Sequence, residues 1–431
     1  MAERNRTEPS QSMKTLFAQL ACALLCLASA FAAPALTLTL DPTAAGPGKF
    51  AAEEIRREAA NRGLTVVNAD ATAPADAIRI TLTVGAPAAN AAPQSYGIRV
   101  QNSQGRRTVT VRGADASGVM YGGLDVAEAI RTGTLDALKD SDHTPHIAQR
   151  GIKFNLPLDV RTPTYNKGEW PDSERLNVVE MWSREFWLET LNDMARHRYN
   201  LISWWSLNPF PSIVKVPEFP HVALADVETT EANRKDRIVV KKMTIDEKIQ
   251  FWRDVMQLAH DRGISVYLFT WNVFLGAAEG QDGITKERTA PRSIEYFRAS
   301  VRETIKTYPL LAGLGITAGE GMPEREFQQM SKEQWLWKTY GEGIRDGLKD
   351  TPDRKFRLIH RFHMTGLTEI QTEFKELPVP LDLSFKYAIA HMYSVPNPSM
   401  IKPVLPLLSP ELRCWLTIRN DDIHSFRWAD V

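Results

Sequence analysis

The sequence predicts an α/β protein: a small α+β N-terminal domain followed by an incomplete TIM-type (β/α) barrel with about seven strands. Three observations carry this. From Arg150 onward, short apolar runs alternate with amphipathic helical stretches, as successive βαβ units require. No Gly-rich phosphate-binding loop follows any of those runs, which favours a barrel over a doubly wound sheet. Before Arg150 the apolar runs are short, period-two and separated by two helical stretches, the pattern of an α+β layer.

The first 32 residues differ in kind. Arg4, Arg6 and Lys14 precede an apolar stretch over 16–31, and Ala30-Phe31-Ala32 fits a signal-peptidase site, so residues 1–32 read as a signal peptide. Met13-Lys14 offers a compact alternative start, and an uncleaved membrane anchor is the competing reading. Neither Cys22 nor Cys26 completes a lipoprotein box, because Gln19 and Ala23 stand where leucine is needed. The mature chain then keeps only Cys414, in the apolar run 412–418, where a buried, inert thiol is expected. Export without disulfides points to a periplasmic or secreted protein. No later run is apolar enough to span a bilayer, so no stable membrane association is expected after cleavage. Lys+Arg and Asp+Glu are both 52, a balance that gives no sign of a nucleic-acid partner.

In the N-terminal domain, placed at 36–132, residues 36–40 alternate as a strand and 49–61 form an amphipathic helix. Strands follow at 64–67 and 78–84. Residues 96–100 and 108–112 flank Asn102-Ser-Gln-Gly105 as a hairpin, and 114–130 is a helix. The polar stretch 133–149 reads as a linker, and the barrel domain occupies 150–431. Its strands are expected at 151–156, 201–205, 265–270, 310–317, 356–360, 381–385 and 413–418, with helices including 184–197, 244–262, 293–307 and 333–348. The count stops at seven, so the expected barrel is C-terminally incomplete, either as a fragment or as an open barrel.

The fourth of these strands ends in Ile316-Thr-Ala-Gly-Glu320-Gly, an acid at the mouth where such barrels keep their chemistry. Gly315, Gly319 and Gly321 thin the backbone around it. Cations recur at the same ends: Arg161, Arg361 with His363, Lys386 and Arg419. Aromatic residues do too, Trp204-Trp205 and Trp271; of the adjacent pair, one side chain should face the interior and one the helices. His360 and His363 face opposite sides of an extended strand, which argues against a metal site. No nucleophile elbow, Walker loop or dinucleotide fingerprint is present, and no cofactor or metal is expected.

The segment from Gln94-Ser-Tyr-Gly-Ile-Arg-Val100 through Thr108-Val-Thr-Val-Arg-Gly-Ala-Asp-Ala-Ser-Gly-Val-Met-Tyr-Gly-Gly-Leu124 resembles the non-catalytic N-terminal domain of β-N-acetylhexosaminidases and of the α-glucuronidase group. Arg150-Gly-Ile-Lys-Phe154 and its extension to Asp159 resemble the first strand of their (β/α)8 catalytic domains. Hexosaminidases end strand four in His-x-Gly-Gly-Asp-Glu. Here Gly319 stands in place of that aspartate, which weighs against acetamide-assisted hydrolysis and toward an unsubstituted or uronic-acid sugar.

The resemblance implies an exported, α-glucuronidase-like glycosidase with a carbohydrate substrate. Such hydrolysis needs two carboxylates. Glu320 is the candidate general acid, its pKa raised by an apolar setting, and Asp421 or Asp422 its partner, with Asp159 a third option. Asp159, Arg161, Trp205, Trp271, Arg361, His363, Lys386 and Arg419 are candidate substrate contacts. The cations suit a sugar carboxylate because a guanidinium fork binds it through two parallel hydrogen bonds. Two alternatives stay open: a β-N-acetylhexosaminidase-like hydrolase with an altered motif, and a carbohydrate-binding protein without turnover.

Overall fold

The chain divides between Ala148 and Gln149 into two compact units. The computed structural model describes residues 35–67, 74, 77–164, 172–271, 273–319, 321–362, 365–387, 402, 404–409 and 412–418.

In the first unit, β1 (Ala35–Leu40), β2 (Thr65–Val67), β3 (Ile78–Val84), β4 (Tyr96–Ser103), β5 (Arg106–Gly113) and β6 (Ser141–His143) form one sheet in the order β2-β1-β3-β5-β4-β6. The first four in that order are parallel; β4 runs antiparallel to β5 and to β6. One face buries Ile80, Leu82, Ile98, Val109 and Val111 beneath α1 (Ala45–Asn61) and α2 (Ala116–Thr132). Glycines set how closely α2 seats. A Cβ on Gly123 would lie 2.8 Å from the Ala51 methyl of α1, and one on Gly122 would lie 2.5 Å from Val111. Asp115 caps α2, accepting the Gly118 N–H at 2.8 Å and the Gln94 N–H at 2.9 Å. The Asp and Gly positions of the 94–124 motif thus serve packing and capping.

Within 133–149, read as a linker, Ser141–His143 adds the edge strand β6. Its polar residues are held from β4. Arg99 donates to both Asp142 carboxylate oxygens at 2.7 and 2.9 Å, and His143 stacks on Tyr96 with ring centroids 4.7 Å apart.

The second unit is built on β7 (Gly151–Asn155), β8 (Leu201–Ser206), β11 (Ser265–Trp271), β12 (Leu311–Thr317), β13 (Arg357–Arg361), β14 (Leu381–Tyr387) and β15 (Cys414–Ile418). They lie side by side in chain order, every pair parallel. An order without reversal is that of a barrel wall rather than a doubly wound sheet, and the sheet curls as an incomplete TIM-type barrel. All seven strands read from the sequence are present.

Between them run α3 (Asp172–Met181), α4 (Arg184–Arg196), α5 (Ile245–His260), α6 (Pro291–Thr307), α7 (Lys332–Leu336), α8 (Glu342–Leu348) and α9 (Leu367–Glu373). The helix expected over 333–348 is split by a π-helical turn, Trp337–Gly341. There the Trp337 ring lies so close over Gly341 that a Cβ would fall 2.2 Å away, and the ring meets Phe374 edge-on. A hairpin that the sequence reading did not find, β9 (Val227–Thr230) and β10 (Arg237–Lys241), precedes α5.

The strand pleat sorts side chains as expected. Trp204 points to the helices, edge-on to Trp187 and Trp252 at 5.3 and 5.0 Å. Trp205 joins Leu201, Tyr267, Phe269 and Ile359 in the inner cluster. Cys414 is half-buried rather than sealed in the core, and burial raises its thiol pKa.

Candidate active site

Strand register lines up two rows on the inner face of the second sheet. The lower runs Asn155, Trp205, Phe269, Gly315, Ile359, Asp382; the upper runs Trp271, Thr317, Arg361, Ser384, Trp415. Trp271, Thr317 and Arg361 are the last residues of β11, β12 and β13, so the upper row reaches the carboxyl ends of three adjacent strands.

In the lower row, Phe269 stacks on Trp205 with centroids 4.4 Å apart and planes 13° from parallel. The Lys153 ammonium lies 4.6 Å from the centroid of the same indole, whose N–H donates to Ser203 Oγ at 3.1 Å. With Phe269 and Lys153 over its ring and only 4% of its surface exposed, Trp205 has no face left for a sugar; it is a wall residue, which corrects its reading as a substrate contact. Lys153, whose Nζ donates to Asn155 Oδ1 at 3.0 Å, is instead exposed on this inner face. Period-two reading of Gly151–Asn155 would have placed Lys153 opposite Ser203, but lysine in a short strand carried no signal by itself.

Trp271 is partly buried against the inner cluster, and its indole N–H donates to the Thr164 carbonyl at 3.0 Å, which fixes the ring at the rim. Arg361 is half-buried beside Thr317 and Ser384 in register.

Asp159 and Arg161 are committed elsewhere. Arg161 Nε and Nη2 each donate to an Asp159 oxygen at 2.7 Å, and the Arg161 and Glu228 backbone N–H groups both donate to the same carboxylate at 2.9 Å. Arg161 also reaches the Ala225 and Asp226 carbonyls and pairs with Glu228 at 3.2 Å. Asp159 is fully buried. Four donors fill its two oxygens, so the pair clamps the segment after β7 to the hairpin, and its reading as a substrate contact is corrected.

Burial penalises the charge of Arg161, yet the pairing with Asp159 raises its pKa on balance. Beneath the clamp, the wholly buried Lys248 of α5 donates to the Leu224 carbonyl at 3.0 Å, and burial lowers its pKa to about 8.

At the amino end of β14, buried Asp382 accepts Arg357 Nη1 at 2.6 Å, the Trp415 indole N–H at 2.7 Å, and the backbone N–H and Nη2 of Arg413 at 3.1 and 3.4 Å. Tyr267 meets Trp415 edge-on at 5.1 Å. This knot closes the floor of the inner face. On the helix side, His360 Nε2 lies 2.7 Å from a Glu333 carboxylate oxygen, both residues having no exposed surface, which ties α7 to β13 next to Arg361.

Glu320, His363, Arg419, Asp421 and Asp422 lie outside the described residues, and Lys386 is described only through its backbone pairing with Thr417. The loop that carries residue 320 is anchored on both sides. The Met322 N–H donates to the Gly319 carbonyl at 3.1 Å, and Arg288 Nη2 donates to the Gly321 carbonyl at 2.6 Å while pairing with Glu326. Among the described residues, no group of His, Cys, Asp and Glu is placed to hold a metal ion.

No protein-family model matches the chain, and no curated protein matches it. Solved structures do. A GH138 enzyme described as targeting pectin rhamnogalacturonan II superposes over 82% of this chain and 48% of its own length, with a TM-score of 0.62 and 22% identity. The GH20 β-N-acetylhexosaminidase of Streptomyces coelicolor matches over 89% of this chain and 81% of its own, with a TM-score of 0.51 and 12% identity. The chitobiase of Flavobacterium johnsoniae matches over 89% and 62%, with a TM-score of 0.50 and 13% identity. The chain spans about half the length of the GH138 structure. What it has in common with these glycoside hydrolases is the fold: a small α+β unit followed in the chain by a parallel barrel-type sheet.

Proposed function

We propose that this chain is an exported glycoside hydrolase that acts on a polysaccharide or oligosaccharide bearing an acidic sugar. One observation carries the reading: Trp271, Thr317 and Arg361 cross the carboxyl ends of three adjacent strands on the inner face, at the head of the loop that continues into Glu320. Glycosidases that share this fold support the reaction class.

The chemistry follows from the residues. The Trp271 ring offers an apolar surface to sugar C–H groups. Arg361 and Lys153 supply positive charge on the inner face for a carboxylate, the planar fork of Arg361 suiting it best. Glu320 would protonate the departing glycosidic oxygen, and Asp421 or Asp422 would act as nucleophile or base on the opposite side. The basic and apolar stretch over 1–32 supports export.

The test is the Glu320→Gln variant on aryl uronides, with wild-type and variant melting curves alongside. Turnover should fall by orders of magnitude with the melting temperature unchanged; an unchanged rate removes Glu320 from the mechanism. A second reading, carbohydrate binding without turnover, has one observation in its favour: among the described residues β7 and β15 each pair with only one strand, which leaves the barrel wall open. Retained glycan binding with no sugar released from uronide, neutral or N-acetylglucosaminide reporters would select it.

A further inference from the structure

The first unit presents a second surface. Its sheet buries apolar residues on the helix side, so the alternate positions of β1 to β6 form an outer face. That face carries Arg79, Arg99, Arg106 and Arg112 against two acids among the described residues: Asp142, already paired with Arg99 through two short bonds, and Asp41 at the end of β1, whose carboxylate accepts the Thr83 hydroxyl at 3.3 Å. Threonines fill most positions between, with Thr81 opposite Thr110 at the centre. The whole unit is not basic: over 35–148 the sequence holds 11 Lys and Arg against 12 Asp and Glu. Four of its nine arginines stand on this outer face.

Arg79 and Arg112 are exposed, and no ion pair joins either to a described residue. They stand on adjacent strands, Arg79 opposite Thr108 and Arg112 opposite Thr83. The four-residue step along β5 from Thr108 to Arg112 separates their levels by roughly 13 Å. Hydroxyls lie in between. Two guanidinium forks on a sheet face that bears hydroxyls between them fit an extended polymer with carboxylates at intervals along it.

What the face lacks narrows the partner. No aromatic residue occupies an outer position on these strands, so there is no platform for stacking bases. The central strands place no large apolar side chain there either, so nothing is available to enter a lipid interface. We infer that the outer face of the first unit is a docking surface for an acidic polysaccharide, a polyuronate chain, separate from the inner face of the second unit and independent of whether that unit hydrolyses anything.

The test uses the full chain with polygalacturonate at low and physiological salt, and fully methyl-esterified pectin as the same backbone without charge. Affinity electrophoresis and titration calorimetry should show binding to polygalacturonate that weakens with salt, with little binding to the ester. The Arg79→Glu/Arg112→Glu variant should bind polygalacturonate at least tenfold more weakly, with its melting temperature and any aryl glycoside turnover unchanged. Arg79→Gln/Arg112→Gln should show a smaller loss in the same direction and serves if the charge reversal destabilises the unit. Wild-type affinity in both double variants, equal binding to the esterified polymer, or equally strong binding to phosphatidylglycerol vesicles or single-stranded DNA would overturn the assignment. Polymer binding lost in these variants while no substrate is hydrolysed would sink the hydrolase reading and leave this surface standing.

Discussion

The ring of Phe269 lies directly against Gly315 of the next strand: a Cβ at Gly315 would fall 2.1 Å from Phe269 Cδ1. The ring has nowhere to go, because it is stacked on Trp205, which in turn carries the Lys153 ammonium. Gly315 is therefore the gap that lets an aromatic layer cross the inside of the sheet.

Gly315→Ala should accordingly destabilise the second unit by about 1–3 kcal/mol, the usual cost of forcing atoms into a packed core. Urea unfolding followed by tryptophan fluorescence should show the loss. Gly366→Ala is the control, since a Cβ there meets only Glu369 at 3.9 Å, and it should shift the midpoint little. Equal midpoints for the two variants would mean that the ring is not fixed.

That glycine also marks where sequence reading stops. The barrel strands were legible because each is a short apolar run bounded by turn residues, and the register that follows places Trp205 inside and Trp204 outside as the pleat requires. The same reading took Gly315 as room around Glu320, when the space is filled from the neighbouring strand. Nothing local in Gly-Leu-Gly-Ile tells which partner uses the gap.

The hairpin β9–β10 escaped for a related reason. Val227–Thr230 is mostly polar and the apolar centre of Arg237–Lys241 is largely exposed, so neither reads as a core strand; what holds the hairpin to the strand ends is the Asp159–Arg161 clamp, formed across more than sixty residues of chain. The sequence names Asp159 and Arg161 separately, each as a candidate substrate contact at a strand end. Their use of each other, rather than of a ligand, is visible only in three dimensions.

Asp382 offers a second prediction. It is buried with Arg357 and Arg413 as charged partners and the Trp415 N–H as a further donor. Asp382→Asn keeps the shape and removes the charge, leaving the Arg357 and Arg413 guanidinium groups without their carboxylate. Removing one partner of a buried pair typically costs about 3–5 kcal/mol, with the lower end expected because Arg413 is over a third exposed. In a double-mutant cycle with Arg357→Met, the combined loss should be smaller than the sum by about 1 kcal/mol or more. Strict additivity would show that the two side chains do not act together.

Lys248 gives the pH prediction. It has no exposed surface, and burial lowers its pKa from 10.5 to about 8, with Asp159 and Asp226 pulling the other way and Arg161 adding to the fall. In the unfolded chain the ammonium titrates near its ordinary value. Below pH 8 both states hold the proton, so the cost of the buried charge is present in full. Between about pH 8 and 10.5 the unfolded state binds more protons than the folded one, and this group's contribution to stability rises with pH. Above that range both states are neutral. A difference of two to three units corresponds to about 3–4 kcal/mol as an upper bound. Lys248→Met has no such titration, so the stability of the wild type relative to the variant should climb by an amount of that order from pH 7.5 to 10.5, with every other group cancelling in the difference. Urea midpoints for both proteins at three pH values measure it; a flat difference would mean that the ammonium is hydrated in the folded protein.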